Sequence, residues 1–289
     1  MISRLLLASL LLTTSLNSLA ASDAVVEGVQ LPAWLTRDTK RQPLAAGAIL
    51  RAQDEISTGT NSRVLLRLGD GSQVKLGENA RLKVSAIAQR REENLLTATL
   101  KVIEGAFRFT TSAALSARGR RNVSVQFPTV TVGIRGTDIW GKNLGDSEVV
   151  VLIEGAITIS RAGDAPVEMK EPLTYLQAPR KGAASVQAVP AQQLGQWAAE
   201  TEISPGHGFI VRGGRWKINL AEVDSQSAAL AIHDRLRVDG YPVKVIPVGS
   251  GQRFRVLLSG LPSEKEAQSL AARIKTAHSD LEPKVAPLR

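Results

Sequence analysis

The end of the chain, residues 215–286, switches between two hydrophobic periods in an order that predicts one small domain. Apolar residues at every second position predict strands, and apolar residues at helical spacing predict helices. The predicted strands are 215–220, 243–247, 254–258 and 283–286, and the predicted helices are 225–238 and 263–274. Each helix has a single apolar stripe, so we expect both to cover one face of a four-stranded antiparallel sheet and to leave the other face open.

The open face of this predicted βαββαβ sheet should carry polar donors rather than aromatic rings. Trp216 and Phe254 fall on the core side of the alternation. The opposite, outward positions are Lys217, Asn219, Lys244, Arg253, Arg255 and the apolar Leu257. A sheet face with amide and cationic donors is a candidate binding surface.

One helix start in this region has a specific signature. Ser263 is followed three residues later by Glu266. This is the spacing of a capping box, in which the serine hydroxyl accepts from the N–H at the glutamate position and the carboxylate reaches back to the serine N–H.

A longer region before this domain, residues 22–163, is rich in short apolar–polar alternations. Segments 64–68, 73–76 and 80–84 are examples, and glycine-containing turns separate them. Strands at this spacing are typical of an all-β sandwich, barrel or roll.

Glycines interrupt several of these strands. Segments 102–109 and 152–159 look alike, and each reads as a strand, a Glu-Gly break and a second strand. Their glycines should adopt a positive φ at a bulge or a tight bend. Segment 133–138 has two glycines three apart and predicts a sharp turn, in which Thr137 and Asp138 hydrogen-bond backbone groups.

The segment between the two regions, residues 164–214, loses this regularity. Prolines at 166, 172, 179 and 190 interrupt it, and glycines mark its end. We therefore expect a linker that contains one short helix at 191–201, whose Trp197 docks on a neighbouring domain.

The first 21 residues read as a secretory signal peptide. A basic start at 1–4 precedes an apolar run at 5–12, and small residues at 18 and 20 suit a cleavage site after Ala20 or Ala21. A membrane-spanning helix needs about 20 apolar residues, and this run is shorter. We expect an exported protein of the periplasm, although secretion into the medium stays open, and no other segment predicts a membrane span.

Composition narrows the classes of partner. Of the 289 residues 43% are hydrophobic, so a substantial core can be buried. The formal net charge is +9. In an exported protein this charge suits an anionic cell-wall polymer, an anionic membrane surface or simple solubility.

No combination of residues indicates catalysis, a metal or a cofactor. The chain has no cysteine, and its three histidines, His207, His233 and His278, have no metal-binding spacing. No serine lies in a nucleophile elbow, and no glycine-rich loop precedes a helix in the manner of a phosphate site. We therefore expect a protein that is not an enzyme.

The β-rich region resembles the FecR-type domain, over about residues 30–163. The resemblance is carried by GAILRAQDEISTG at 47–59, LRLGDGSQVKL at 66–76 and FPTVTVGIRGTDI at 127–139. It implies an all-β fold and a sensing or scaffolding role. The best-known members are periplasmic halves of membrane-spanning regulators that relay a signal to a sigma factor. This chain shows no cytoplasmic domain before the hydrophobic run, so direct control of a sigma factor is not expected.

The C-terminal domain, residues 215–289, resembles the SPOR family of peptidoglycan-binding domains. The resemblance is carried by RWKINL at 215–220, DGYP at 239–242, FRVLL at 254–258 and SEKEA at 263–267. It implies that the open sheet face binds glycan strands whose stem peptides have been removed. The chain departs from the family pattern in having Asn219 where glutamine is usual, and in having Glu222 where a small residue is common.

Together these features predict a cell-envelope protein that binds peptidoglycan through Lys217, Asn219, Lys244, Arg253 and Arg255. The FecR-like domain would be its sensor, scaffold or partner-binding module, facing an envelope or receptor protein. The ligand of that domain, septal localisation and a link to cell division stay open.

Two alternatives use the same domains differently. In the first, the protein relays a periplasmic signal through protein contacts of the FecR-like domain. In the second, the C-terminal sheet binds RNA, since its topology is that of RNA-recognition folds. Those folds stack bases on outward aromatic residues, whereas Trp216 and Phe254 are predicted to point inward, so nucleic acid is not an expected partner.

Overall fold

The computed structural model describes residues 24–288 except 91, 92, 94, 112–119 and 250. The predicted signal peptide lies outside the described residues, which form a β-rich domain and a smaller α+β domain. The strands of the β-rich domain are β1 (Ala24–Gln30), β2 (Ala33–Arg37), β3 (Lys40–Pro43), β4 (Glu55–Thr58), β5 (Arg63–Leu68), β6 (Gln73–Leu76), β7 (Arg81–Arg90), β8 (Leu95–Thr110), β9 (Arg120–Gln126), β10 (Val130–Asn143), β11 (Ser147–Arg161), β12 (Val167–Met169), β13 (Thr174–Pro179), β14 (Ser185–Ala188) and β15 (Phe209–Val211).

These strands form one continuously hydrogen-bonded sheet that coils around a shared core. Its main path runs β14-β13-β11-β10-β9-β8-β6-β5-β1-β15, and β2, β3, β4, β7 and β12 pair beside this path. Along β5 and β6 buried residues alternate with partly exposed ones. The alternation arises because successive side chains of a strand point to opposite faces. The predicted all-β architecture of this region is confirmed.

The two Glu-Gly breaks lie inside single long strands. Gly105 in β8 has φ of +77° and Gly155 in β11 has φ of +92°, as the sequence predicted, but neither strand stops there. Up to Glu104, β8 pairs with β7, and from Gly105 onwards it pairs with β10. A glycine bend therefore lets one strand pass from one layer of the roll to another.

The prediction of a sharp turn at 133–138 was wrong. The segment lies within β10, where Gly136 has φ of +61° and the pairing with β11 shifts between Arg135 and Asp138. Two glycines three apart here produce a bulge, because strands on both sides hold the backbone extended. Asp138 accepts two hydrogen bonds from Arg108, at 2.9 and 2.6 Å, instead of capping a turn.

Residues 164–214, expected as a linker, contribute β12, β13, β14 and β15 to the sheet, together with helix α1 (Ala191–Thr201). β15 pairs with β1 through Gly28↔Val211 and its neighbours. The prolines obscured these strands, since they keep each strand short and their partners are distant in sequence. The domain boundaries themselves stay predictions.

Helix α1 is held by tertiary contacts rather than by its own sequence. It has no side-chain cap at its start and no basic residue in its last turn. Its C-terminal end instead carries two carboxylates that the sheet neutralises: Glu200 pairs with Lys142 at 2.9 Å, and Glu202 pairs with Lys75 and Arg108 at 2.7 and 2.9 Å. As predicted, Trp197 docks on the β-rich domain.

The α+β domain has the predicted βαββαβ order. It consists of β16 (Trp216–Val223), α2 (Gln226–Val238), β17 (Lys244–Val248), β18 (Arg253–Leu261), α3 (Glu264–Ala277) and β19 (Lys284–Pro287). The antiparallel sheet has the order β17-β18-β16-β19. Both helices bury their apolar stripes against the same face, which includes the fully buried Ile218, Val256 and Leu258. This prediction is confirmed.

The expected capping box of α3 forms only in part. Ser263 Oγ accepts from Glu266 N at 3.3 Å, as predicted. The carboxylate of Glu266, 6% exposed, does not return to Ser263 but accepts hydrogen bonds from the backbone N–H groups of Gly206, Gly208 and Phe209. The segment entering β15 is thereby bound to the first turn of α3, so Glu266 joins the two domains.

Other contacts between the domains also involve the helices. Trp34 Nε1 donates to the carbonyl of Val238 at 3.0 Å, and Arg273 on α3 donates to the carbonyl of Leu31 at 2.8 Å. One cluster of buried apolar residues runs through both domains. These contacts lie on the helix side or at the ends of the α+β sheet, so they leave its other face open.

Candidate functional site

The face of the α+β sheet that the helices leave open is called the outward face, and it holds all five predicted binding residues. Strand register sets their positions: Asn219 lies opposite Leu257, which lies opposite Lys244 on the next strand. Lys217 and Arg255 flank this row along β16 and β18, and Arg253 follows at the start of β18.

Leu257 has less exposure than the alternation predicted. It points outward, away from the main core cluster, yet only 8% of its surface is exposed. Long polar side chains on β16 and β17 stand on either side of it, and the methylenes of lysine readily cover apolar surface. The outward face therefore has an apolar centre within a polar rim.

Three lysines of this face have no carboxylate partner among the described residues: Lys217, Lys244 and Lys284. Lys284 was missed by sequence reasoning. It lies opposite Asn219 at the start of β19. A signal for it was present, because a last strand was predicted at 283–286. Antiparallel pairing of that strand with β16 places Lys284 beside Asn219.

The arginines differ from the free donors that the sequence suggested. Arg255 donates to Glu222 through Nη2 at 2.8 Å and Nε at 3.1 Å, and Arg253 also pairs with Glu222. The hydrogen bond from Arg255 lowers the pKa of Glu222 below its usual value, and the charge of Arg253 acts in the same direction. A ligand carboxylate must therefore compete with Glu222 for either arginine.

Asn219 offers an amide oxygen that no group in the described part of the chain uses. Its Oδ1 is buried in the outward face and has no hydrogen-bond partner among the described residues. Buried amide oxygens are normally satisfied, so this acceptor is left for a ligand that can reach it.

Comparison with known families agrees with this geometry. A family model described as FecR protein matches residues 54–158, and a model described as SPOR domain matches residues 213–284. The chain carries a FecR domain and a SPOR domain. The SPOR domain implies peptidoglycan binding, and FecR domains imply a signalling module. Both are non-catalytic domain types that are typical of envelope proteins.

Two solved structures match the chain distantly. The chain is similar to a crystal structure of a proposed anti-sigma factor from Parabacteroides distasonis, with 13% identity, a TM-score of 0.40, and coverage of 78% of this chain and 92% of that one. A second crystal structure of the same description matches with 13% identity, a TM-score of 0.40, and coverage of 81% and 98%. A search of curated proteins gives no match.

A cleft opens beside the arginines of the SPOR domain. It has a volume of about 610 Å³ and is lined by Glu222, Arg253, Arg255 and Lys284, with Ile232 and Leu281 among its apolar residues. It exists because β19 pairs with β16 only as far as Asn219, which leaves the last residues of β16 without a neighbour on that side. The outward face therefore continues into a groove at this edge.

The described residues do not support base stacking on this face, a metal site or a membrane-spanning helix. Trp216 and Phe254 pack against the core cluster, as predicted, so the outward face of the SPOR domain lacks their rings as a platform for bases. No cluster of metal-ligating side chains is present in the described part of the chain. Within that part, no helix combines the length and apolarity needed to span a bilayer.

Proposed function

We propose that this chain is an exported, non-enzymatic protein of the periplasm. Its SPOR domain would bind peptidoglycan glycan strands from which the stem peptides have been removed. The observation that carries the proposal is the outward face itself. Three lysines without a carboxylate partner among the described residues surround its apolar centre, together with Asn219, whose Oδ1 has no partner among them. The contacts with the β-rich domain lie elsewhere and leave this face accessible.

The chemistry of a stripped strand matches this face. Such a strand offers hydroxyls, acetamido groups and free lactyl carboxylates. The amide of Asn219 can donate to and accept from an acetamido group. Lys217, Lys244 and Lys284 can pair with carboxylates that exist only after the peptides have been cleaved, so charge would provide the selectivity.

The FecR domain would then act as a sensor, scaffold or partner-binding module placed on the wall by the SPOR domain. A second candidate function is relay of an envelope signal through a protein partner. It is favoured by the joint between the two domains, by which we mean the hydrogen bonds that the carboxylate of Glu266 accepts. Hydrogen bonds there connect the helix side of the SPOR domain directly to β15 of the β-rich domain. Septal localisation belongs to this proposal.

Replacing Glu222 by glutamine tests the proposal by a gain of binding. Glu222→Gln removes the carboxylate that holds Arg255 and the nearer of the two that hold Arg253, which keeps only its 3.6 Å contact with Asp224, so both arginines become more available to lactyl carboxylates. We expect about fivefold tighter binding to denuded strands, because an exposed charge pair contributes modestly. The measurement is co-sedimentation of the mature chain with amidase-treated sacculi.

The matched control is Glu27→Gln, which removes the carboxylate of an Arg67–Glu27 pair on the β-rich domain. It changes the net charge by the same amount and should leave co-sedimentation unchanged. Equal gains in binding for both variants would show that net charge, and not the release of the arginines, accounts for the tighter binding. Failure of the wild-type chain to sediment with treated sacculi would contradict the proposed function as a whole.

A further inference from the structure

A second binding site lies in the β-rich domain, far from the outward face in the fold. A cavity of about 220 Å³ lies between the sheet and α1. We call it the aromatic cavity, and its lining includes Trp140, Lys142, Tyr175, Gln177, Gln193 and Trp197. These residues come from β10, β13 and α1, so the cavity forms only when the helix is docked.

Three aromatic rings form one side of the aromatic cavity. Trp140 and Trp197 stack with their ring centroids 5.1 Å apart and their planes at 14°. Tyr175 meets Trp197 edge to face at 5.6 Å. Rings that serve only as packing usually fill the space around them, whereas here an opening is left beside them.

One polar group of the cavity has no partner. Trp140 is only 1% exposed, and its indole Nε1 finds no acceptor among the described residues. A buried tryptophan N–H normally finds a hydrogen-bond partner. This unused donor belongs to a residue that lines the cavity, so a ligand that supplies an acceptor would satisfy it.

We propose that the aromatic cavity binds a single pyranose ring. A pyranose has an apolar C–H face, which suits the indole and phenol rings, and a polar edge, which suits the amides of Gln177 and Gln193. The cavity is smaller than the sites of about 300–1,000 Å³ that hold drug-sized ligands, so it admits one ring. If the occupant were an aromatic side chain of a protein partner, the amides of Gln177 and Gln193 would have no hydrogen-bonding role.

Helix α1 forms one side of this site, and its first half is suited to move. Its C-terminal end is anchored to the sheet through Glu200 and Glu202. Its first half, which carries Gln193, begins without a side-chain cap and contains Gly195, a residue that weakens helices. A shift of this half can admit the sugar and bring an acceptor oxygen of the sugar to Trp140 Nε1.

The test is an NMR titration of the mature chain with labelled indole nitrogens. The chain has four tryptophans, so each signal can be assigned with a single Trp→Phe variant. The probes are methyl glucoside, N-acetylglucosamine and free indole. We expect both sugars to shift the Trp140 and Trp197 signals while leaving Trp34 unchanged. N-acetylglucosamine should bind more tightly if the acetamido carbonyl is the acceptor for Trp140.

Two further variants separate this site from simple packing. Gln193→Ala should weaken sugar binding about fivefold through loss of a hydrogen bond, and Gln192→Ala, its exposed neighbour outside the cavity lining, should not. The shifts should persist in Lys217→Glu/Lys244→Glu, so failure of the outward face would not remove them. Absence of sugar-induced shifts, shifts with indole alone, or equal effects of the two glutamine variants would overturn the proposal.

Discussion

Replacing Glu266 by alanine is expected to lower the free energy of unfolding of the mature chain by about 3 kcal/mol, because three backbone donors lose their charged acceptor while they stay largely buried. The donors are the N–H groups of Gly206, Gly208 and Phe209. Glu266→Gln keeps one acceptor oxygen and should cost about half as much. Urea unfolding of the three proteins gives the comparison.

Glu264→Ala is the matched control for this prediction. Glu264 lies in the same first turn of α3, is exposed, and accepts a hydrogen bond from Gln268 on its own helix. Its loss should change the unfolding free energy by less than about 0.5 kcal/mol. We also expect Glu266→Ala to separate the unfolding of the two domains into two transitions, since the joint between them is weakened. Similar values for the two alanine variants would show that Glu266 does not carry the joint.

Reversing two charges on the outward face should nearly abolish wall binding. In Lys217→Glu/Lys244→Glu, attraction to lactyl carboxylates becomes repulsion on β16 and β17, the two strands that flank β18. We expect a loss of about 2 kcal/mol, or roughly thirtyfold in affinity, for denuded strands. Co-sedimentation at low ionic strength measures it, because salt screens exposed charges.

The matched control is Lys101→Glu/Lys181→Glu, which makes the same change in net charge at exposed positions of the β-rich domain. It should bind within about twofold of the wild type, since exposed changes away from the site have small effects. If both double variants lose binding equally, overall charge rather than the outward face would account for it. Circular dichroism of both variants checks that their folds are intact.

Local sequence signals were sufficient for the α+β domain and for α1. The hydrophobic periods gave the order of strands and helices, and α1 was predicted at the residues where it lies, Ala191–Thr201. Such elements can be recognised because their apolar positions recur within a few residues. The five predicted binding residues share one face for the same reason.

The pairing of Glu222 with the arginines could not be derived from alternation. Strict alternation from Lys217 and Asn219 would place Glu222 on the core side. The register of β16 shifts between Asn219 and Ala221, so Leu220 and Ala221 both face the core and Glu222 faces outward, opposite Arg255. A bulge of this kind depends on the partner strand, which the local sequence does not specify.

The joint was missed for a related reason. A serine and a glutamate at the start of a helix predict a local capping box, whereas the carboxylate of Glu266 serves backbone groups about sixty residues earlier. The strands β12–β15 likewise depend on distant partners. Nonlocal hydrogen bonds leave no period in the sequence, so only the fold brings them to light.

We propose that the outward face of the SPOR domain selects glycan strands whose peptides have been removed. The most direct test is the affinity of the mature wild-type chain for one preparation of sacculi before and after amidase treatment. We expect at least about tenfold tighter binding after treatment, because each cleaved peptide exposes a carboxylate for Lys217, Lys244 or Lys284. Equal or weaker binding after treatment would contradict the account.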